Sequence, residues 1–127
     1  MTPALTALLV CAAGGIGAAA RLVLDGLIRT WTRSTYPVAT TIINLTGSLL
    51  LGLLTGLAAG NLLSAPWLII AGTGLLGGYT TFSTASFETV SLLEDRRYLA
   101  ATLNGLGALI ICSCAAAAGL LTGLAIR

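Results

Sequence analysis

The sequence predicts an all-α membrane protein of four transmembrane helices, with the third helix broken in mid-membrane. Three observations predict it. The 127 residues are 57% hydrophobic and only 8% charged, with a mean hydropathy of +1.00, whereas a soluble domain carries roughly 25% charged residues. Four apolar stretches each reach the length of about 20 residues that a spanning helix needs. The third stretch is interrupted by Gly77-Gly78-Tyr79-Thr80-Thr81-Phe82-Ser83-Thr84, poor material for a continuous lipid-facing helix. A freed backbone carbonyl or amide costs several kcal/mol in hydrocarbon unless something satisfies it. Such a break is tolerable where it is buried in protein, binds an ion or lines a water-filled path, so it points to ion handling.

The spans are placed at residues 4–27, 39–63, 67–92 and 99–126. They make one four-helix domain over residues 1–127, with nothing left for a soluble domain, so the function is expected within the membrane. Ala18-Ala19-Ala20 imitates a signal-peptide cleavage site, but Met1-Thr2-Pro3 lacks the positive charge that such a segment carries. The first span is therefore expected to be retained. The connectors are short: residues 29–37, a tight turn at 61–66, and 93–98 with the cluster Glu94-Asp95-Arg96-Arg97. Pro66 suits the first turn of the third helix, where its missing N–H does no harm. Gly52, Gly56 and Gly60 in the second span, and Ala115, Gly119 and Gly123 in the fourth, form stripes that let backbones approach closely. They serve either packing within one subunit or a subunit interface. Four short helices hardly enclose a polar path, so at least a dimer is expected.

Charge decides orientation and excludes several functions. All six cations are arginine, and the net charge of +2 is too small and too dispersed for nucleic acid. Arg21, Arg29, Arg33, Arg96 and Arg97 lie at or near the first and third connectors, which share one side of the membrane; the other side has Arg127. The positive-inside rule then puts both connectors in the cytoplasm and both termini outside. Without histidine, His-based catalysis and His-rich metal sites are excluded. No nucleophile–base pair or catalytic metal constellation appears, so an enzyme is not expected. Cys11, Cys112 and Cys114 fall inside apolar runs and read as small buried hydrophobes rather than a disulfide framework.

Several polar residues stand inside or beside the spans. Asn44 has Ser48 one turn later; a buried carboxamide faces a bundle interior or a polar path, and its NH2 group can donate to an anion or to another helix. Arg21 and Asp25 are four apart on one face, as a local ion pair would be, although Arg21 also suits an electropositive vestibule or a hydrogen bond to a connector. Glu88 lies two turns beyond the break, on the face of Thr81, as a pore mouth, an intersubunit salt bridge or an interfacial carboxylate. At the break, carbonyls freed from helical bonding suit a hard cation, and half-helix N-termini suit an anion. The positive edge of the Phe82 ring attracts a small anion without a full charge that would trap it.

Together these residues resemble the CrcB/Fluc family of fluoride channels across nearly the whole chain. Gly14-Gly15-Ile16-Gly17-Ala18-Ala19-Ala20-Arg21 is similar to the family's GGxxGAxxR signature, and Thr41-Ile42-Ile43-Asn44-Leu45-Thr46-Gly47-Ser48 resembles its TxxNxxG(S/C) pattern. Gly77-Gly78-Tyr79-Thr80-Thr81-Phe82-Ser83-Thr84 follows its GGxTTFST motif. The resemblance implies an antiparallel, dual-topology dimer in a bacterial-type inner membrane, in contact with lipid, passively exporting cytoplasmic fluoride to relieve its toxicity. It implies a fluoride path lined by Asn44, Phe82, Ser83 and Thr84, with Asn104 where the fourth span normally offers a tyrosine. It also implies a structural, non-transported sodium ion at the dimer centre, held by the backbone carbonyls of Gly77 and Thr80. Arg21 matches the signature arginine, in a structural or vestibular role.

Two departures bear on assembly. The family's second phenylalanine falls here on Ala85, and Phe87 is no replacement because, five residues past Phe82 on a helix, it points about 140° away. Beyond Asn104, Ala108 and Cys112 give a weak polar track. These features, with the arginine bias, point to pairing with an oppositely oriented homologue rather than to a symmetric homodimer. Two other classes compete. A small multidrug resistance-like antiporter needs a membrane-embedded carboxylate in its first span, where only Asp25 stands, at the edge. A non-conducting partner subunit would complete another chain's pathway.

Overall fold

The computed structural model describes residues 1–126; the expectation attached to Arg127 lies outside the described residues. Every regular element among the described residues is helical. Helix α1 runs Pro3–Thr32, five residues past the predicted end. Thr2 opens it, its side-chain oxygen accepting the Leu5 N–H at 3.4 Å, and Pro3 stands where a missing amide hydrogen costs nothing. Arg33 closes it in the left-handed region at φ 42°. Helix α2, Val38–Ala59, stops four residues before the predicted end. Asn61 takes φ 61°, and the Leu62 N–H returns to the Leu57 carbonyl at 2.9 Å, which satisfies one of the helix's last carbonyls.

The third apolar stretch is divided. Helix α3 (Ala65–Leu68), with Pro66 in its first turn, passes into a π-helical segment, π1 (Ile69–Leu76), and then into α4 (Gly77–Tyr79). Thr80 and Thr81 are extended, and α5 (Phe82–Glu94) follows. The wider π coil shows in the Gly77 N–H, which closes on Gly72 five residues back. The last run comprises α6 (Tyr98–Thr102), a second π segment, π2 (Leu103–Gly107), and α7 (Ala108–Ala125). Among the described residues, three helices are long and apolar enough to cross a membrane: Pro3–Thr32, Val38–Ala59 and Tyr98–Ala125.

Glycine decides how these helices meet. Helices α2 and α7 lie backbone to backbone: a Cβ at Gly52 would strike the Ala116 carbonyl, at Gly56 the Leu120 carbonyl, and at Gly119 the Leu49 carbonyl. Gly52, Gly56, Gly119 and Gly123 therefore serve packing within the subunit, where close approach replaces the hydrophobic incentive that lipid removes, whereas Gly60 meets only its own helix. The same device seats α1 on the third stretch. A Cβ at Gly17 would enter the Leu75 carbonyl, one at Gly78 the Gly14 carbonyl, and one at Gly74 would lie 2.9 Å from the Val10 oxygen.

Large apolar side chains such as Leu8, Leu22, Leu109 and Leu121 point outward, and the few buried ones include Ile43, Ile70 and Leu92. This is the arrangement of a chain whose solvent is itself apolar. The cysteines are free, as expected, but they are not buried: Cys11 and Cys114 are exposed and Cys112 is half-buried. An apolar outer face asks only for an apolar side chain there, not for burial.

Glycine placement yields a test. Gly119→Val should destabilise the purified protein by about 1–3 kcal/mol, because its side chain enters an occupied backbone seam. Gly26→Ala, whose Cβ meets open space, should be neutral or gain up to about 1 kcal/mol from helix propensity. Thermal unfolding in detergent, followed by circular dichroism, reads both.

Candidate functional site

The backbone interruption falls at Thr80 (φ −79°, ψ 162°) and Thr81 (φ −148°, ψ 124°), while the double glycine before it stays helical. Gly78 is there for close approach to α1, whereas a Cβ at Gly77 would meet only the Gly72 oxygen at 3.9 Å, and the threonines make the break. Thr80 finishes α4, since its N–H and its hydroxyl both donate to the Leu76 carbonyl at 2.9 Å. Thr81 then caps α5: its Oγ1 accepts the Thr84 N–H at 3.2 Å, and its hydroxyl donates to Thr84 Oγ1 at 3.0 Å. Ser83 Oγ lies 3.4 Å from the same oxygen.

Helix α2 serves this break directly. Asn44 Nδ2 donates to the Thr81 carbonyl at 2.8 Å, and Asn44 Oδ1 accepts the Thr81 N–H at 2.8 Å. One carboxamide thus satisfies both polar backbone groups of one residue, one of the two uses that the sequence left open for it, and one of its two amide hydrogens is committed there. One turn on, a Cβ at Gly47 would collide with Thr80 Cγ2 and approach the Tyr79 ring to 3.3 Å, so glycine lets α2 rest on the interruption. Thr46 Oγ1 lies 3.0 Å from the Tyr79 hydroxyl. From the other side, Arg21 Nε donates to the Gly78 carbonyl at 3.4 Å.

The ion pair expected between Arg21 and Asp25 does not form. Asp25 Oδ2 instead takes Arg29 Nε at 2.7 Å. At four residues' spacing an acid N-terminal to its base is the favourable order, and Asp25–Arg29 has that order where Arg21–Asp25 has the reverse. Glu88 joins the same cation. Its Oε1 accepts from Arg29 Nη2 at 2.9 Å and from the buried Thr40 hydroxyl at 3.0 Å. Glu88 therefore bridges α1, α2 and α5 inside one subunit. Its side chain is only 15% exposed, unlike a carboxylate reaching freely to an interface. Arg29 and Thr40 were not singled out from the sequence, although the order of charges at 25 and 29 carried the signal for the first of them. An antiporter carboxylate in α1 finds no support, because Asp25 is already neutralised.

An open groove of about 510 Å³ runs along the interruption, with Asn44, Gly77, Thr80, Thr81 and Phe82 among its lining residues and Ala85, Asn104 and Cys112 farther along. Phe82 is 87% exposed. Ser83 is exposed and Thr84 half-buried. Phe87 is exposed but does not line the groove. Asn104 is 2% exposed and sits on π2. Its Nδ2 donates to the Ala85 carbonyl at 3.1 Å and to Thr89 Oγ1 at 2.9 Å, so both amide hydrogens are spent tying α5 to π2.

Comparison with known proteins shows the family. Residues 8–120 match the model of the family described as CrcB-like protein, Camphor Resistance (CrcB). A protein of Leifsonia xyli subsp. xyli named fluoride-specific ion channel FluC 1 is 54% identical over 127 residues, covering 99% of this chain and 92% of the relative. A protein of Pyrococcus abyssi named fluoride-specific ion channel FluC is 42% identical over 100 residues, covering 78% and 80%. One of Pelobacter propionicus with the same name is 37% identical over 127 residues, covering 99% and 96%. With the seat for the interruption built from α1 and α2, and the match running over nearly its whole length, this chain belongs to the CrcB-like protein family.

Proposed function

We propose that this chain is a subunit of a fluoride-specific ion channel that lets cytoplasmic fluoride leave passively and so limits its toxicity. The observation that carries this reading is the 54% identity, over 99% of the chain, to a relative with that name. The chemistry is simple. Hydrogen fluoride crosses membranes as a neutral acid, dissociates in the less acidic cytoplasm, and is trapped as an ion unless a pathway returns it. Flow down an electrochemical gradient needs neither ATP nor an enzyme's machinery.

In this reading the chain crosses an inner membrane four times, the third crossing formed by α3 to α5 with the Thr80–Thr81 break inside it. That one α2 side chain meets both polar backbone groups of Thr81 supports the break's lying in hydrocarbon. Arg97 Nη1 donates to the Thr35 carbonyl at 2.9 Å, holding the first and third connectors at one end. Five of the six arginines lie at or near those connectors, which supports a cytoplasmic location for them and an outer one for the termini. Two subunits pair in opposite orientations, and the groove beside the break becomes a fluoride path. Phe82 presents a ring whose edge is positive and Asn44 has an amide hydrogen uncommitted among the described residues, whereas Ser83 and Thr84 do not line the groove and the Thr84 hydroxyl oxygen is engaged by Thr81. A narrow, partly dry path of this kind fits fluoride and excludes the larger chloride.

A structural sodium ion fits the donor set. Gly77 and Thr80 stand at the end of α4, where helical carbonyls lose their donors, and both line the groove. Oxygen-only ligation suits a hard cation, and a two-fold pair doubles the set. When bound, the ion supplies a fixed positive charge at the subunit junction and is not transported.

Assembly has a second form. Ala85 offers no ring, and Asn104 has no amide hydrogen left. Both favour pairing with an oppositely oriented homologue that supplies the missing groups, and in the extreme this chain contributes no conduction of its own. Efflux from proteoliposomes, followed with a fluoride electrode, tests these points. Phe82→Ile should cut conduction by about tenfold or more while the assembly elutes unchanged. Asn44→Asp, which sets an anion beside the path in a low dielectric, should cut it by about a hundredfold. Unchanged efflux in both variants overturns the path. Robust efflux from the pure chain alone shows that no second homologue is required, whereas efflux restored only by co-expressing a homologue supports the mixed pair.

A further inference from the structure

We propose that Asn44 and Thr81 are positioning residues of the cation site, each using a side-chain oxygen to draw off the amide hydrogen that would otherwise close on one of its two carbonyls. The proposal rests on the sodium reading given above.

In an α-helix the N–H of each residue closes on the carbonyl four residues back. Were α4 to continue into α5, the Thr81 N–H would close on Gly77 and the Thr84 N–H on Thr80. Both hydrogens are diverted to side chains. The Thr81 N–H goes to Asn44 Oδ1 at 2.8 Å, and the Thr84 N–H goes to Thr81 Oγ1 at 3.2 Å. Neighbouring carbonyls are treated in the opposite way. Gly78 receives Arg21 Nε at 3.4 Å, and Thr81 receives Asn44 Nδ2 at 2.8 Å. Gly77 and Thr80 line the groove, whereas Gly78 and Tyr79 do not. Side chains from α1, α2 and the break itself therefore sort the peptide oxygens of residues 77–81. Gly78 and Thr81 are given side-chain donors; of the three carbonyls left without a donor among the described residues, those of Gly77 and Thr80 belong to residues that line the groove, while Tyr79 does not line it. Asn44 does both jobs with one carboxamide.

The selection has a consequence for cation affinity. Without the side-chain acceptors the extended backbone at Thr80 and Thr81 loses its competitor to the helical ladder; where the ladder re-forms, the Thr81 and Thr84 amides close on the Gly77 and Thr80 carbonyls, and a cation must break such a bond to bind. The net worth of such a bond corresponds to about a tenfold change in an equilibrium constant.

The test uses the full chain in detergent, or the assembled pair if a homologue is required. Thermal unfolding is measured as sodium chloride replaces N-methyl-D-glucamine chloride at constant ionic strength. The sodium concentration that gives half of the Tm gain should rise about tenfold in Thr81→Val, which keeps the shape and loses the acceptor, and likewise in Asn44→Leu. Thr81→Ser, which retains the oxygen, should stay within about twofold of the parent. An unshifted sodium midpoint in Thr81→Val, with the parent responding normally, overturns the proposal. Should Asn44→Leu fail to fold, the Thr81 pair decides alone. A parent protein whose Tm ignores sodium refutes the cation site itself, a failure distinct from that of the positioning roles.

Discussion

An apolar surrounding leaves a peptide group no hydrogen-bonding partner except what the protein brings, and the local architecture of this chain follows from that constraint. Thr80 and Thr81 step out of the helical ladder in a chain that is 57% hydrophobic. The step survives because Asn44 meets both polar groups of Thr81 at 2.8 Å, Thr80 closes on Leu76, and Thr81 caps the helix that follows. Remove the carboxamide and two adjacent peptide groups are left to compete for partners that lipid does not supply.

That clamp works only at close range, which explains the glycines around it. Gly47 allows α2 to lie on Thr80 and Tyr79, and Gly17, Gly74 and Gly78 allow α1 to lie on the segment before the break. Any side chain at Gly17 or Gly78 would lift α1 away and carry Arg21 out of reach of the Gly78 carbonyl. The motifs in the first two helices are thus less a set of separate sites than one cradle for the third. Where no such demand exists, as at Gly15 and Gly26, a Cβ would meet open space.

The remaining polar residues divide between holding the subunit together and facing the groove. Glu88, Arg29, Asp25 and Thr40 anchor the outer part of α5 to α1 and α2. Asn104 anchors α5 to π2. Helix α5 is therefore fixed at its start, at Glu88 and along Ala85 and Thr89, while Phe82 lines the groove. A fixed helix carrying a free aromatic ring suits a proposed path whose wall must stay rigid while its polar contacts stay weak. The same anchoring consumes the donors of Asn104, so its amide hydrogens serve the α5–π2 contact rather than the groove.

Much of this was legible in the residues themselves. Composition and apolar run length determined an all-helical membrane chain, because no other backbone arrangement of such residues satisfies its own hydrogen bonds without water. The run from Gly77 to Thr84 marked the interruption, and three motifs in order marked the family. Tertiary structure decided the partners. Asn44 could equally have faced an anion or another helix, and only the approach of α2 to Thr81 selects the backbone. Arg21 had Asp25 within reach along its own helix, yet it turned to Gly78 once α1 was seated, leaving Asp25 to Arg29. Of the glycine stripes, equally suited to a subunit interface, Gly52, Gly56, Gly119 and Gly123 were taken up by the α2–α7 seam. Local sequence specifies what a residue is able to bond and where its helix begins and ends. Which bond forms depends on distances between segments far apart in the chain, and those exist only after the helices have packed.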